Sequence, residues 1–198
     1  MKNLISKLAA VVVTGAIVGG CAISSPTVGS GKVSYGDTNA VETINTDFGS
    51  TDLNMTVKQM ADQLIASGRL NRCTTYTVSP VANKTAQYID TTNITQGIVD
   101  KLSNSPSVKS TYVLSGQEMK NQVNELDRQN DTGLYASKAK KGQMQGAQCR
   151  LDGFVSDISK DNGTVKNVFY IINLKLINVE QGTMLWGNEK QISKNQTR

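Results

Sequence analysis

Histidine is absent from all 198 residues of the chain. That removes Ser-His and Cys-His nucleophile pairs and the commonest zinc ligand in one step. Carboxylate and Ser-Lys chemistry stay open, but no constellation for either is visible. The chain therefore reads as a non-enzyme with no catalytic, cofactor-binding or metal site. Aromatic residues make up only 5%, with a single tryptophan, so any binding surface has to be aliphatic and polar. No glycine-rich loop joins a strand to a helix, because Gly15, Gly19 and Gly20 sit in an apolar N-terminal segment; a nucleotide motif is excluded on that ground. Asp161-Asn162-Gly163 lacks the remaining ligands of a calcium loop. The net charge of +5 falls to +3 when Lys2 and Lys7 leave with the first twenty residues. So small an excess does not call for nucleic acid as a partner.

What is present begins with a short basic start at Lys2 and Lys7, an apolar run from Leu8 to Val18, and Gly19-Gly20-Cys21. Charge, length and small residues make a secretory signal, too short and glycine-broken for a permanent span. A cysteine directly after the small residues resembles a bacterial lipobox. The resemblance implies that Cys21 carries acyl chains of the palmitate type and becomes the new N-terminus, anchored far more firmly by several chains than by one. Ala22 supplies no aspartate retention signal, which by the same analogy favours the periplasmic face of the outer membrane. The alternative is an ordinary secreted protein with an incidental cysteine. The expected organisation is a signal peptide at 1–20, a lipidated flexible leader at 21–34, and a single α/β domain with an N-terminal arm at 35–198. Ser, Gly, Thr and Pro26 without periodicity mark the leader.

Within the domain, Tyr35, Val41, Ile44 and Phe48 are scattered apolar anchors, read as an extended arm fastened to the rest. Val57, Met60, Ala61, Leu64 and Ile65 form a helical stripe over 55–67, capped by Asp52 or Asn54 and closed by Gly68. A strand is expected at 72–78, a loop at 81–85, a helix at 92–102 on Ile94, Ile98 and Leu102, and a strand at 110–114. Ser115 and Glu118 match a capping box opening a helix with Met119, Val123 and Leu126 on one face. A polar connection at 127–136 and a weak helix at 136–146 follow. A third strand runs from about 146 to 158 with a kink at Gly153, and Asp161 to Thr164 turn the chain. Val168, Tyr170, Ile172, Leu174 and Leu176 alternate along a long strand. Glu180 to Thr183 turn it again, Met184 begins the last strand, and 193–198 should fray. Alternating strands and helices followed by hairpins predict one mixed sheet, parallel at its start and an antiparallel meander at its end, flanked by helices.

In such a run the first strand commonly lies beside both the second and third, so Cys73 and Cys149, at strand beginnings, come within disulfide range. They form a bridge, or sit as two separate small hydrophobes. Asp152 and Asp157 read as solvent-facing carboxylates rather than a catalytic pair. Lys138, Lys140 and Lys141 read as a solvated basic face, with an acidic partner or anionic lipid as the minority reading.

Two stretches carry a family resemblance. One is Tyr35 through Leu64, with Asp47-Phe48 and Asp52-Leu53 before the helix. The other is Gly146-Ala147, the alternating strand, and Val179-Glu180-Gln181-Gly182-Thr183-Met184-Leu185-Trp186. With the lipobox and element order they resemble the LpoB family of outer-membrane lipoproteins, which is related to the CsgG-type lipoproteins. The resemblance implies a non-enzymatic activator that docks on a class A penicillin-binding protein and stimulates peptidoglycan synthesis by binding its active conformation more tightly. No short motif marks the docking residues, so none carries over. Family members bear a long proline-rich linker, whereas roughly a dozen leader residues reach about 40 Å when extended. The second reading is a structural or secretion-assembly lipoprotein of the CsgG type.

Overall fold

The computed structural model describes residues 36–198 except Thr132. The signal segment, Cys21, the leader and Tyr35 lie outside the described residues. Three helices, α1 (Ser50–Ser67), α2 (Thr91–Ser103) and α3 (Gly116–Asp131), accompany six strands: β1 (Thr75–Val78), β2 (Ala82–Asn83), β3 (Thr111–Tyr112), β4 (Cys149–Asp161), β5 (Val165–Asn178) and β6 (Met184–Thr197). They form one mixed sheet in the order β3-β1-β4-β5-β6, with β2 pairing β4 off that path. β1 runs parallel to both β3 and β4, and the β4-β5-β6 meander is antiparallel. The central position of β1 is the one expected.

The core lies between the sheet and the α1-α2 layer. On β5, Val168, Tyr170, Ile172, Leu174 and Leu176 are all buried, as period-2 alternation requires. Met60, Ala61 and Leu64 of α1 and Ile94, Ile98 and Leu102 of α2 meet them in one cluster. Each such aliphatic side chain contributes roughly 1.5–3 kcal/mol by leaving water. The intervening residues Phe154, Phe169 and Ile171 are half-buried and point to the other side of the sheet.

Several local expectations are corrected. α1 starts at Ser50, earlier than 55, and neither Asp52 nor Asn54 is its cap; Gly49 holds that position, its N–H donating to the Asp52 carboxylate at 2.9 Å. Gly68 closes the helix at φ 62, as read. The first strand loses its leading residues to a tight turn at Leu70–Arg72, while Ala82 and Asn83, read as loop, pair in parallel with Phe154 and Val155. At the start of α3 the Ser115 hydroxyl donates to the Val78 carbonyl and Glu118 accepts from the Tyr112 hydroxyl. α3 runs on through 127–131, supported by Glu125 pairing with Arg128 and Gln129 one turn later. Segment 136–146 is irregular rather than helical, its lysines being drawn back onto α3 and Gly142 turning at φ 80. β4 does not kink at Gly153; its register is continuous there. Glycine is needed for closeness instead, since a Cβ would sit 2.7 Å from the Asn173 carbonyl oxygen. The C-terminus does not fray, because β6 pairs with β5 through Thr197 and Arg198 N–H donates to Thr164.

Candidate functional site

Among the described residues no three His, Cys, Asp or Glu side chains gather as a metal site, and no helix is long and apolar enough to cross a membrane. Asp152 and Asp157 are an odd number of residues apart on β4, so they project from opposite faces. Burial pushes the Asp152 carboxyl up, but the Arg150 guanidinium fork at 2.8–3.0 Å and a hydrogen bond from Ser79 outweigh it and hold it below the ordinary carboxylate range. Asp157 accepts from the Ala86 N–H at 3.4 Å. A concavity of about 590 Å³ between α1 and α2 is lined by Asp62, Lys101 and Pro106, with Asp62 and Lys101 paired at 3.5 Å.

α3 has no fully buried residue at all. Its apolar stripe runs along Met119, Val123 (40% exposed) and Leu126, and Met119 shares a shallow cleft with Tyr112, Leu114 and Met144. The polar side of the same helix holds the following segment. Lys141 pairs with Asp127 at 2.9 Å and Asp131 at 3.6 Å, Lys138 donates to the Asn130 carbonyl, and Arg128 lies over the Tyr135 ring. Two of the three lysines read as a solvated basic face are thus engaged internally, and only Lys140 keeps that description.

A second feature is where the arm enters the domain. Thr46 is buried, and its carbonyl accepts from the Tyr170 hydroxyl at 2.9 Å. Gln87 donates to that hydroxyl and accepts from the Phe48 N–H, while the Phe48 ring stands edge-on to Tyr170 at 5.6 Å. Lys194, near the end of β6, donates to the Asp47 carbonyl and to Asp52, in an ion pair whose side chains are 16% and 4% exposed. Of the described arm anchors Phe48 alone packs on the core; Val41 and Ile44 are 74% and 81% exposed and fasten nothing. Sequence reasoning missed this clamp because its members lie up to 147 residues apart.

Cys73 and Cys149 stand at the entries to β1 and β4 with Cα atoms 5.9 Å apart and their sulfurs joined. Cys21 lies outside the described residues.

Residues 52–192 match the profile of the peptidoglycan-synthase activator LpoB family, well over half of the chain. The chain belongs to the LpoB family. The match runs from the first turn of α1 nearly to the end of β6, so it takes in the whole sheet and α3 and leaves out residues 36–51 of the arm. The LpoB family is one of peptidoglycan-synthase activators rather than catalysts. Among solved structures, the chain is similar to the LpoB C-terminal domain from Escherichia coli, at 15% identity over 72% of this chain and 99% of that one, TM-score 0.45. It is likewise similar to the LpoB C-terminal domain from Salmonella enterica, at 16% identity over 71% and 98%, TM-score 0.43. A third similarity is to lipoprotein GNA1162 from Neisseria meningitidis, at 17% identity over 61% and 83%, TM-score 0.36. No curated protein sequence matches the chain.

Proposed function

We propose that this LpoB-family chain activates peptidoglycan synthesis by binding a class A penicillin-binding protein. In this reading residues 1–20 are a signal peptide and 21–34 a leader. Cys21 is the acylated anchor in the outer membrane, and 35–198 is the docking domain with its arm. Activation is a population shift: the domain binds an active conformation of the synthase more tightly than an inactive one. The profile match over residues 52–192 is the observation that carries this reading.

The contact element we favour is the apolar stripe of α3, Met119-Val123-Leu126. A helix of 16 residues with no fully buried side chain gains little from its own domain, and its partly exposed stripe, with Val123 open and Met119 and Leu126 half-buried, suits a partner's pocket. We also propose that Cys73 and Cys149 are bridged in the exported protein, since two sulfurs this close at adjacent strands oxidise readily in that compartment. A pull-down of the organism's class A penicillin-binding proteins, followed by synthesis from lipid II with and without the purified chain, tests the function. Co-purification and stimulation are expected; neither binding nor stimulation would overturn it.

A further inference from the structure

The arm is held in two unequal parts. Residues 46–48 are the clamp already described, seated by Tyr170, Gln87 and Lys194. Residues 36–45 are exposed throughout apart from Glu42, which is half-buried; hydrogen bonds tie them to Ser50, Thr51 and Asn54 of α1, and residues 41–45 border a hollow shared with Met55 and residues 192–196 of β6. Glu42 is the centre of these bonds. Its N–H donates to the Thr51 hydroxyl at 2.8 Å, and its carboxylate accepts from the Ser50 N–H at 2.9 Å and the Ser50 hydroxyl at 3.2 Å. The Thr51 hydroxyl then donates to the Ala40 carbonyl, and the Asn54 side chain reaches Thr38 at 3.5 Å. A carboxylate on free N–H groups at a helix start is favourable, but the interaction is exposed and shared with water. Gly49 makes room for it: a Cβ there would lie 2.2 Å from the carboxylate oxygen of Glu42.

We propose that residues 36–45 are a detachable strap, latched by Glu42 onto the first turn of α1 and hinged at Asn45-Thr46, which lengthens the domain's tether when it comes off. Tension from the N-terminal side loads the Thr38, Ala40 and Glu42 contacts one after another, whereas the clamp at 46–48 resists with the half-buried Phe48 ring against the buried Tyr170 and with the largely covered Lys194 ammonium. Release frees ten residues, at most about 35 Å of extra chain, without touching the core. The strap also lies outside the stretch that matches the family profile. As a reach-adjusting device it rests on the reading of Cys21 as the anchor; as a structural element it does not.

The experiment uses the full chain in solution, wild-type and with Gly49→Ala or Glu42→Ala. Gly49 has φ −118, which alanine adopts freely, so its new methyl group displaces the Glu42 carboxylate and leaves the clamp intact. In hydrogen exchange, the amides of residue 42 and Ser50 should be protected in the wild type at least about tenfold less than that of Phe48, and both variants should lose the Ser50 protection while Phe48 keeps its own. Pulling the wild type between its termini should give one low-force step of at most about 35 Å before unfolding, absent from both variants. Equal protection of residues 42 and 48, no early step in the wild type, or undiminished Ser50 protection in Glu42→Ala would overturn the strap. Mass spectrometry showing an unmodified Cys21 in the exported protein would instead remove the anchor while leaving strap release measurable.

Discussion

Reducing the Cys73–Cys149 bridge is the most informative perturbation of stability. The bridge joins positions 76 residues apart and closes a loop containing α2, β3 and α3. In the chain-entropy treatment a loop of that length is worth about 4.5 kcal/mol, through states denied to the unfolded chain. Residual structure in the unfolded state lowers what is realised, so about 3–4 kcal/mol is the working figure. Reduction is cleaner than substitution because both sulfurs stay in the core, where the cysteines are 2% and 0% exposed, and no cavity opens. The assay is urea unfolding of oxidised and reduced protein, preceded by thiol titration of the denatured, unreduced mature chain. Lost stability of this size in a domain of some 160 residues corresponds to a fall in Tm of roughly 6–16 °C. Two free thiols in the titration would refute the bridge. One bridged species with the same urea midpoint before and after reduction would refute the entropic reasoning instead.

Lys194→Met should cost about 3 kcal/mol, because it leaves the nearly buried Asp52 carboxylate with the Gly49 N–H as its remaining donor, whereas Lys101→Met, at the exposed pair with Asp62, should cost under about 0.5 kcal/mol by the same denaturation assay. Equal losses in the two variants would sink the clamp. Val123→Asp should leave the unfolding midpoint within the scatter of surface substitutions while weakening synthase binding by about tenfold or more in a titration, and unchanged affinity would remove α3 from the contact. Asp152 is held below the ordinary carboxylate range, so its support of the fold is present above that range and lost as pH falls through the lowered value. Replacing Arg150 with Gln should move the Asp152 carbon resonance midpoint upward in an NMR titration, and a stationary midpoint would show that the guanidinium does not set it.

Much of the architecture was legible because it rests on local patterns. The β5 alternation named its five buried residues, the α1 and α2 stripes named theirs, and Gly68 marked the end of α1 at a positive φ. The place of β1 between β3 and β4 followed from the connectivity of parallel units. The failures share a cause. Ser115 and Glu118 have the spacing of a capping box, and the fold gives them long-range partners the spacing does not announce, the Val78 carbonyl for the Ser115 hydroxyl and the Tyr112 hydroxyl for Glu118. The lysines of 136–146 read as a solvated face, yet Lys141 is held by Asp127 and Asp131 and Lys138 by the Asn130 carbonyl of α3.

On its own, then, the sequence determined which residues are amphipathic, where the chain turns, and the absence of histidine chemistry, since each is a property of neighbours along the chain. Tertiary structure decided which stripes have a partner. Met119, Val123 and Leu126 have the same periodicity as the α1 stripe, yet α1 buries residues against the sheet while no residue of α3 is fully buried. It also decided that Thr46, Phe48, Tyr170 and Lys194 form one clamp while Glu42 stands outside it as a latch. Periodicity reports the shape of a surface; what covers that surface depends on segments a hundred residues away, and only the folded chain brings them together.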